Sequence, residues 1–65
     1  MKIATPYNRT AQTILGDTLK LVWVYDSLTE LHELQISKGK AKISIPAVDV
    51  DNFVAMAQSI AKERP

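Results

Sequence analysis

The chain has 65 residues, with eight Lys and Arg side chains against seven Asp and Glu, and no cysteine. A chain of this length forms one domain, residues 1–65, with a small core. Because a disulfide and a thiolate metal site are excluded, oligomerisation is the stabilising device that is left, and we predict a homodimer. The near-neutral charge argues against a dedicated duplex-DNA binder.

No segment predicts membrane insertion or export. The longest apolar run, Leu21–Tyr25, is far shorter than the ~20 residues that cross a bilayer. No apolar segment of a signal peptide follows Met1. The sequence therefore predicts a cytoplasmic protein without a membrane partner.

The N-terminal part predicts an extended arm and a hairpin. Lys2–Pro6 forms the arm, because proline disfavours helix at the residue before it. Arg9–Leu15 fits either a strand or about two helical turns, and we favour the strand because a β-type run follows directly. Gly16-Asp17 then predicts a two-residue hairpin turn.

Thr18–Asp26 is the clearest strand, because Val, Trp, Tyr and Thr are enriched in it. Alternation gives one face with Leu19, Leu21, Trp23 and Tyr25, and another with Lys20, Val22, Val24 and Asp26. Since both faces are largely apolar, we predict a central strand covered on both sides. The C-terminal helix would form one cover, and a partner subunit or a ligand the other.

The middle of the chain has two interpretations. Ser27–Glu30 matches a capping box, which would open a helix. The alternative is a strand over about Leu31–Ser37, and periodicity alone does not decide between them. We favour the strand, because Lys38-Gly39 then forms a hairpin turn into a further strand, Lys40–Ile45.

The last part of the chain predicts a helix. Pro46 ends the preceding strand, and Val50–Lys62 repeats apolar residues at helical spacing. Asp49 or Asp51 would cap the helix and complement its positive end. The predicted fold class is α+β: a mainly antiparallel four-stranded sheet followed by one C-terminal helix packed on it, in the order β-β-β-β-α.

No set of residues points to catalysis. His32 lies near Glu30 and Glu33, but it has no nucleophile or orienting partner, so we interpret it as a surface or half-buried strand residue. Asp49 and Asp51 lack a metal-binding pattern, and the two glycines form no phosphate loop. We therefore predict no catalytic residue, no metal site and no cofactor.

Basic and aromatic side chains are the strongest functional candidates. The set for nucleic-acid binding is Lys20, Lys38, Lys40, Lys42, Tyr7 and Trp23. The last three lysines are two residues apart, so within a strand they would line one face and bind a phosphate backbone. The two aromatic rings would stack on unpaired bases. The alternatives are lysines that block edge-to-edge pairing and a tryptophan that fills the core.

Two segments, Gly16–Tyr25 and Lys42–Ile45, resemble the positive cofactor 4 (PC4) family of transcriptional coactivators. In that family a hairpin with glycine at its tip leads to a long strand, and a basic turn, an Ile-Ser-type strand and a helix follow. The resemblance covers roughly Thr10–Lys62. It implies a dimer that pairs through C-terminal helices and binds single-stranded DNA on curved sheet surfaces. Leu15 and Asp17 flank the glycine where the family has basic residues.

The primary hypothesis is therefore a small dimeric nucleic-acid-binding accessory protein that prefers single-stranded DNA and acts in transcription regulation. The alternative is a protein-interaction module, such as a regulator or inhibitor that docks on a larger partner. A continuous basic groove would favour the first hypothesis. An exposed apolar patch with mixed charge would favour the second.

Overall fold

The computed structural model describes all 65 residues and has four strands followed by one helix. The elements are β1 (Lys2–Gln12), β2 (Thr18–Asp26), β3 (Leu31–Lys38), β4 (Ala41–Pro46) and α1 (Ala47–Glu63). The strands form one antiparallel sheet in the order β1-β2-β3-β4, so each strand pairs with its neighbours in sequence. The α+β class and the β-β-β-β-α order are confirmed.

The strand β1 unites the predicted arm with the first part of the predicted strand Arg9–Leu15, with a bulge between them, whereas residues 13–15 of that prediction lie in the turn that follows. The register with β2 shifts between Ala4 and Asn8, where three residues lie opposite Trp23. Pro6 lies in this bulge, where the missing N–H of proline interrupts no regular ladder. The Thr5 hydroxyl donates to the Trp23 carbonyl oxygen at 2.7 Å and supplies a hydrogen bond to that strand.

The first turn is longer than the two-residue Gly16-Asp17 turn that the sequence predicts, and that prediction is wrong. Residues 13–17 join β1 to β2. Thr13 closes this loop, because its N–H donates to the Asp17 carbonyl oxygen at 2.8 Å and its hydroxyl accepts from the Asp17 N–H at 3.0 Å. Gly16 has a φ of 93°, a conformation that glycine adopts without a steric cost.

The two later turns confirm a strand in the middle of the chain. Ser27–Glu30 is a turn and not the start of a helix, and Asp26 accepts a hydrogen bond from the Leu28 N–H at 3.0 Å within it. Glu30 has a φ of 59°, a region that residues with side chains seldom adopt. Gly39-Lys40 then joins β3 to β4, one residue later than predicted.

The register divides the sheet's side chains between two faces. We define the apolar sheet face by its large aliphatic residues and its tryptophan: Leu19, Leu21, Trp23, Leu34, Ile36, Ile43 and Ile45. The opposite face carries Val24, which at 4% exposure is the only buried residue. Its ladder neighbours are Ala4 and Glu33. The core is therefore small and lies at the central strand β2.

The helix α1 leaves most of the apolar sheet face uncovered. It lies near β3 and β4 and not near β1 or β2. Only Val50 and Phe53 are half-buried along it, and Ile60 is 69% exposed. The prediction that the helix covers β2 is wrong. The radius of gyration is accordingly 13.3 Å, against about 11 Å for a compact domain of this length.

The start of α1 also differs from the prediction. Pro46 is the N-cap residue and makes no side-chain cap hydrogen bond, so the prediction that Asp49 or Asp51 caps the helix is wrong. Asp49 lies in the first turn, where its charge complements the positive end of the helix. No loop separates β4 from α1, so the restricted backbone of proline sets the direction of the helix. The helix is neither long nor apolar enough to cross a membrane.

Candidate functional site

An open groove of the apolar sheet face lies near β1. We define the aromatic groove by the residues that line it: Tyr7, Asn8, Arg9, Leu21, Trp23 and Leu34. Its floor consists of the three apolar residues from β2 and β3, which are half-buried. Its wall consists of Tyr7, the last residue of the bulge, and the next two residues of β1, Asn8 and Arg9. The volume is about 450 Å³, which suits a side chain or a base.

The bulge in β1 positions the tyrosine of this groove. The Tyr7 N–H donates to the Thr5 hydroxyl oxygen at 3.2 Å, and that hydroxyl donates to the Trp23 carbonyl oxygen. The Asn8 amide donates to the Pro6 carbonyl oxygen at 3.3 Å. These local bonds fix the bulge, so two of the predicted site residues, the tyrosine and the tryptophan, line one groove. The tyrosine is 72% exposed.

Arg9 supplies the only charged side chain in the aromatic groove, and sequence reasoning missed it. It pairs in register with Leu21, and its Nη1 donates to the Asn8 carbonyl oxygen at 2.7 Å. The signal was present in the sequence, because Arg9 follows Tyr7 by two residues and strand residues two apart share a face. The groove thus combines an exposed phenol, a guanidinium and an apolar floor.

An aromatic row extends the tryptophan along the same face. The rings of Trp23 and His32 are stacked, with centroids 5.6 Å apart and planes 12° apart. Tyr25 lies 5.0 Å from the same imidazole at a tilt of 47°. The interpretation of His32 as a surface strand residue is confirmed, since it is exposed on β3. Stacking on one side orders the tryptophan beside the groove.

The predicted row of lysines on one face is not present. Lys38 pairs with Ala41 across the hairpin, so it lies on the apolar sheet face, whereas Lys42 lies on the opposite face. Lys20 also lies on that opposite face, and Lys40 is in the turn. The prediction failed because the chain reverses within the triplet, and side-chain alternation does not continue through a turn.

Lys38, the lysine on the apolar sheet face, lies near the carboxylate of Asp17. Its ammonium nitrogen, Lys38 Nζ, lies 3.9 Å from Asp17 Oδ2, and both side chains are about half exposed. Such a surface pair contributes little to stability. The pair still lowers the net positive charge at this end of the face, so the face presents mixed charge around an apolar centre.

The opposite face carries the best-connected carboxylate. Glu33 Oε1 lies 3.0 Å from Lys2 Nζ, and Glu33 Oε2 accepts from the Gln35 amide at 3.2 Å. The hydrogen bond from Lys2, followed by those from Ser44 and Gln35, lowers the pKa of Glu33 below its ordinary value. The pKa of Asp26 is lowered as well, chiefly by the Leu28 N–H. Glu33 therefore forms an ion pair that links β3 to β1, and Asp26 accepts a hydrogen bond in the turn between β2 and β3.

No group of three or more His, Cys, Asp or Glu side chains is arranged to hold a metal ion. No protein-family model, curated protein or solved structure matches this chain. A function therefore has to follow from the chemistry of the aromatic groove and of the apolar sheet face around it.

Proposed function

We propose that this chain is a protein-interaction module that docks an apolar surface of a partner in the aromatic groove. The observation that supports it is the uncovered apolar sheet face, which the chain's own helix reaches only at β3 and β4. At its margins, Leu19 is 39% exposed and Ile43 is 56% exposed. Contiguous exposed apolar surface of this kind is typical of protein interaction sites.

The distribution of charge favours a protein partner over a nucleic acid. A single-strand binder needs a positively charged groove that follows the phosphate backbone. Here Lys20 and Lys42 lie on the face opposite the aromatic groove, and Lys38 lies close to a carboxylate. Arg9 alone lines the groove with positive charge. A regulator or inhibitor that docks on another protein fits this surface. A cytoplasmic location is part of the same proposal.

A position-specific cross-link tests the proposal. Leu21 on the groove floor is replaced by p-benzoylphenylalanine, and Leu28, which is 85% exposed in a turn, is replaced in a control chain. After irradiation in cells that express each chain, we expect protein adducts, identified by mass spectrometry, from position 21 and not from position 28. Equal adducts from both positions, or an adduct that nuclease removes, would contradict a protein-docking groove.

A second function, single-stranded nucleic-acid binding, is supported by one specific observation. Tyr7, Arg9 and Trp23 line the same groove, and aromatic rings beside a guanidinium form stacking sites for unpaired bases. Fluorescence anisotropy of a labelled single strand at two salt concentrations, beside a duplex, tests it. Tyr7→Ala should weaken binding about tenfold, because one stacked base contributes about 1–3 kcal/mol. Lys42→Ala is the control on the opposite face, and wild-type protein that binds no oligonucleotide would exclude this function.

A further inference from the structure

Two apolar surfaces of this chain have no covering element. One is the floor of the aromatic groove. The other is the C-terminal part of α1, which we call the free end and define as residues 54–63. Its apolar stripe consists of Val54, Ala57, Ile60 and Ala61, which are all exposed, and it continues the stripe that Val50 and Phe53 begin against the sheet.

The free end does not cover the groove of its own chain. The helix follows β4 directly at Pro46, and β4 is an edge strand of the sheet. The groove lies towards the other edge of the sheet, beside β1 and over residues of β2 and β3. Because α1 lies near β3 and β4 and not near β2, the free end, about 15 Å long, does not cover the groove of its own chain. The α1 of a second chain can reach this groove, because it is not attached to the same sheet.

We propose that the partner in the groove is a second copy of this chain, which lays the free end of its α1 across Leu21, Trp23 and Leu34. The inference rests on the proposed function and names its partner. A two-fold axis makes the arrangement reciprocal, so each copy supplies one free end and one groove. Two copies close the assembly and leave neither surface exposed.

The exposed surface area of the chain supports a second copy as the partner. The chain exposes 5471 Å², whereas a compact monomer of its 7.2 kDa mass exposes roughly 4,100 Å². Removal of this excess of roughly 1,400 Å² from each copy would bury about 2,800 Å² in the pair, within the range of permanent dimers. An elongated molecule of 43 × 26 × 18 Å has the shape expected of half of such a dimer.

The backbone of a helix end offers hydrogen-bond acceptors to the groove. Arg9 is the only charged side chain that lines the groove. The C-terminal end of a helix carries a partial negative charge and unpaired carbonyl oxygens; the last turn of α1 contains both Lys62 and Glu63, so its carbonyl oxygens are the acceptors that it offers. The last turn of a partner's α1 therefore presents acceptors to a guanidinium, while the apolar stripe meets the apolar floor.

The oligomeric state of matched variants tests the inference. Sedimentation velocity of the full chain, across a hundredfold range of concentration, should give twice the monomer mass. Ile60→Asp places a charge on the stripe and should weaken the dimer at least about 100-fold. Val48→Asp is the control, because this residue is 87% exposed in the first turn of α1 and should not affect the mass. Circular dichroism should show both variants folded.

Disulfide trapping tests the geometry, since the chain has no cysteine of its own. Chains that carry only Tyr7→Cys are mixed with chains that carry only Ile60→Cys and are then oxidised. A helix end in the groove predicts the mixed disulfide as the main product. A predominance of the symmetric disulfide between two Ile60→Cys chains would show helix-to-helix pairing and overturn the inference.

Three further outcomes test the inference and the proposed function separately. A wild-type monomer at every concentration, with Trp23 fluorescence fully quenched by acrylamide, would overturn the second copy as partner and leave the docking groove open for another protein. A monomer whose tryptophan is shielded from acrylamide would overturn both proposals, because the groove would then be covered by the chain itself. A dimer that Ile60→Asp leaves intact would overturn the role of the free end.

Discussion

The placement of the core at β2 can be tested at Val24, the only buried residue. Val24→Ala removes two buried methyl groups, and the lost transfer free energy together with the cavity lowers the free energy of unfolding by about 2 kcal/mol. In a domain of this size, that loss corresponds to a decrease of roughly 10 °C in the melting temperature.

Two other valines make the comparison specific. Val22 lies on the same strand and the same face but is only half-buried, so Val22→Ala should lower the free energy of unfolding by about half as much. Val48 is 87% exposed on α1, and Val48→Ala should have no effect or a small gain from helix propensity. Thermal unfolding at one fixed protein concentration, followed by the fluorescence of Trp23, gives all three values. A loss at Val24 no larger than the loss at Val48 would refute the assignment of the core.

Three more substitutions test the local structure around the site. Because the pKa of Glu33 is lowered in the folded chain, its contribution to stability is present at neutral pH and is lost as the pH falls through that lowered pKa. Thermal melts from pH 7 to pH 3 should therefore show a smaller loss of stability for Glu33→Gln than for the wild type. In a urea titration, Glu30→Gly should raise the free energy of unfolding by about 0.5–1 kcal/mol, since it relieves a φ of 59°. The control Thr29→Gly should lower the free energy of unfolding in the same titration. Thr5→Val removes the hydroxyl that links the bulge to the Trp23 carbonyl oxygen, and urea titration should show a loss of about 1 kcal/mol; an unchanged midpoint would mean that the bulge does not depend on this hydroxyl.

The order of elements could be predicted from the sequence because its signals are local. The alternation of Leu19, Leu21 and Trp23, with turn residues on either side, specifies a strand whatever surrounds it. The preference for a strand after Ser27–Glu30 was correct because a hairpin partner follows it. The same capping-box sequence forms a turn here, since strand pairing over β3 outweighs the local preference for a helix start.

The faces of the lysines and the aromatic groove could not be predicted in the same way. A shift of the hairpin turn by one residue, from Lys38-Gly39 to Gly39-Lys40, changes which lysines share a face. The groove depends on a bulge that brings Tyr7 beside Trp23, and that bulge arises from Thr5 and from the missing donor of proline. Each feature depends on the register between strands, which periodicity within one strand does not contain.

The size of the chain and its open surface have one physical explanation. A strand that is apolar on both faces is stable only when both faces are covered, and β2 is such a strand. One face gains partial cover from the Lys2–Glu33 pair and contains the buried Val24. The other face has cover from its own helix only at β3 and β4. For a chain with so small a core, folding and partner binding then use the same side chains. Substitutions that make the half-buried floor of the aromatic groove polar should therefore weaken the complex and also lower the stability of the monomer.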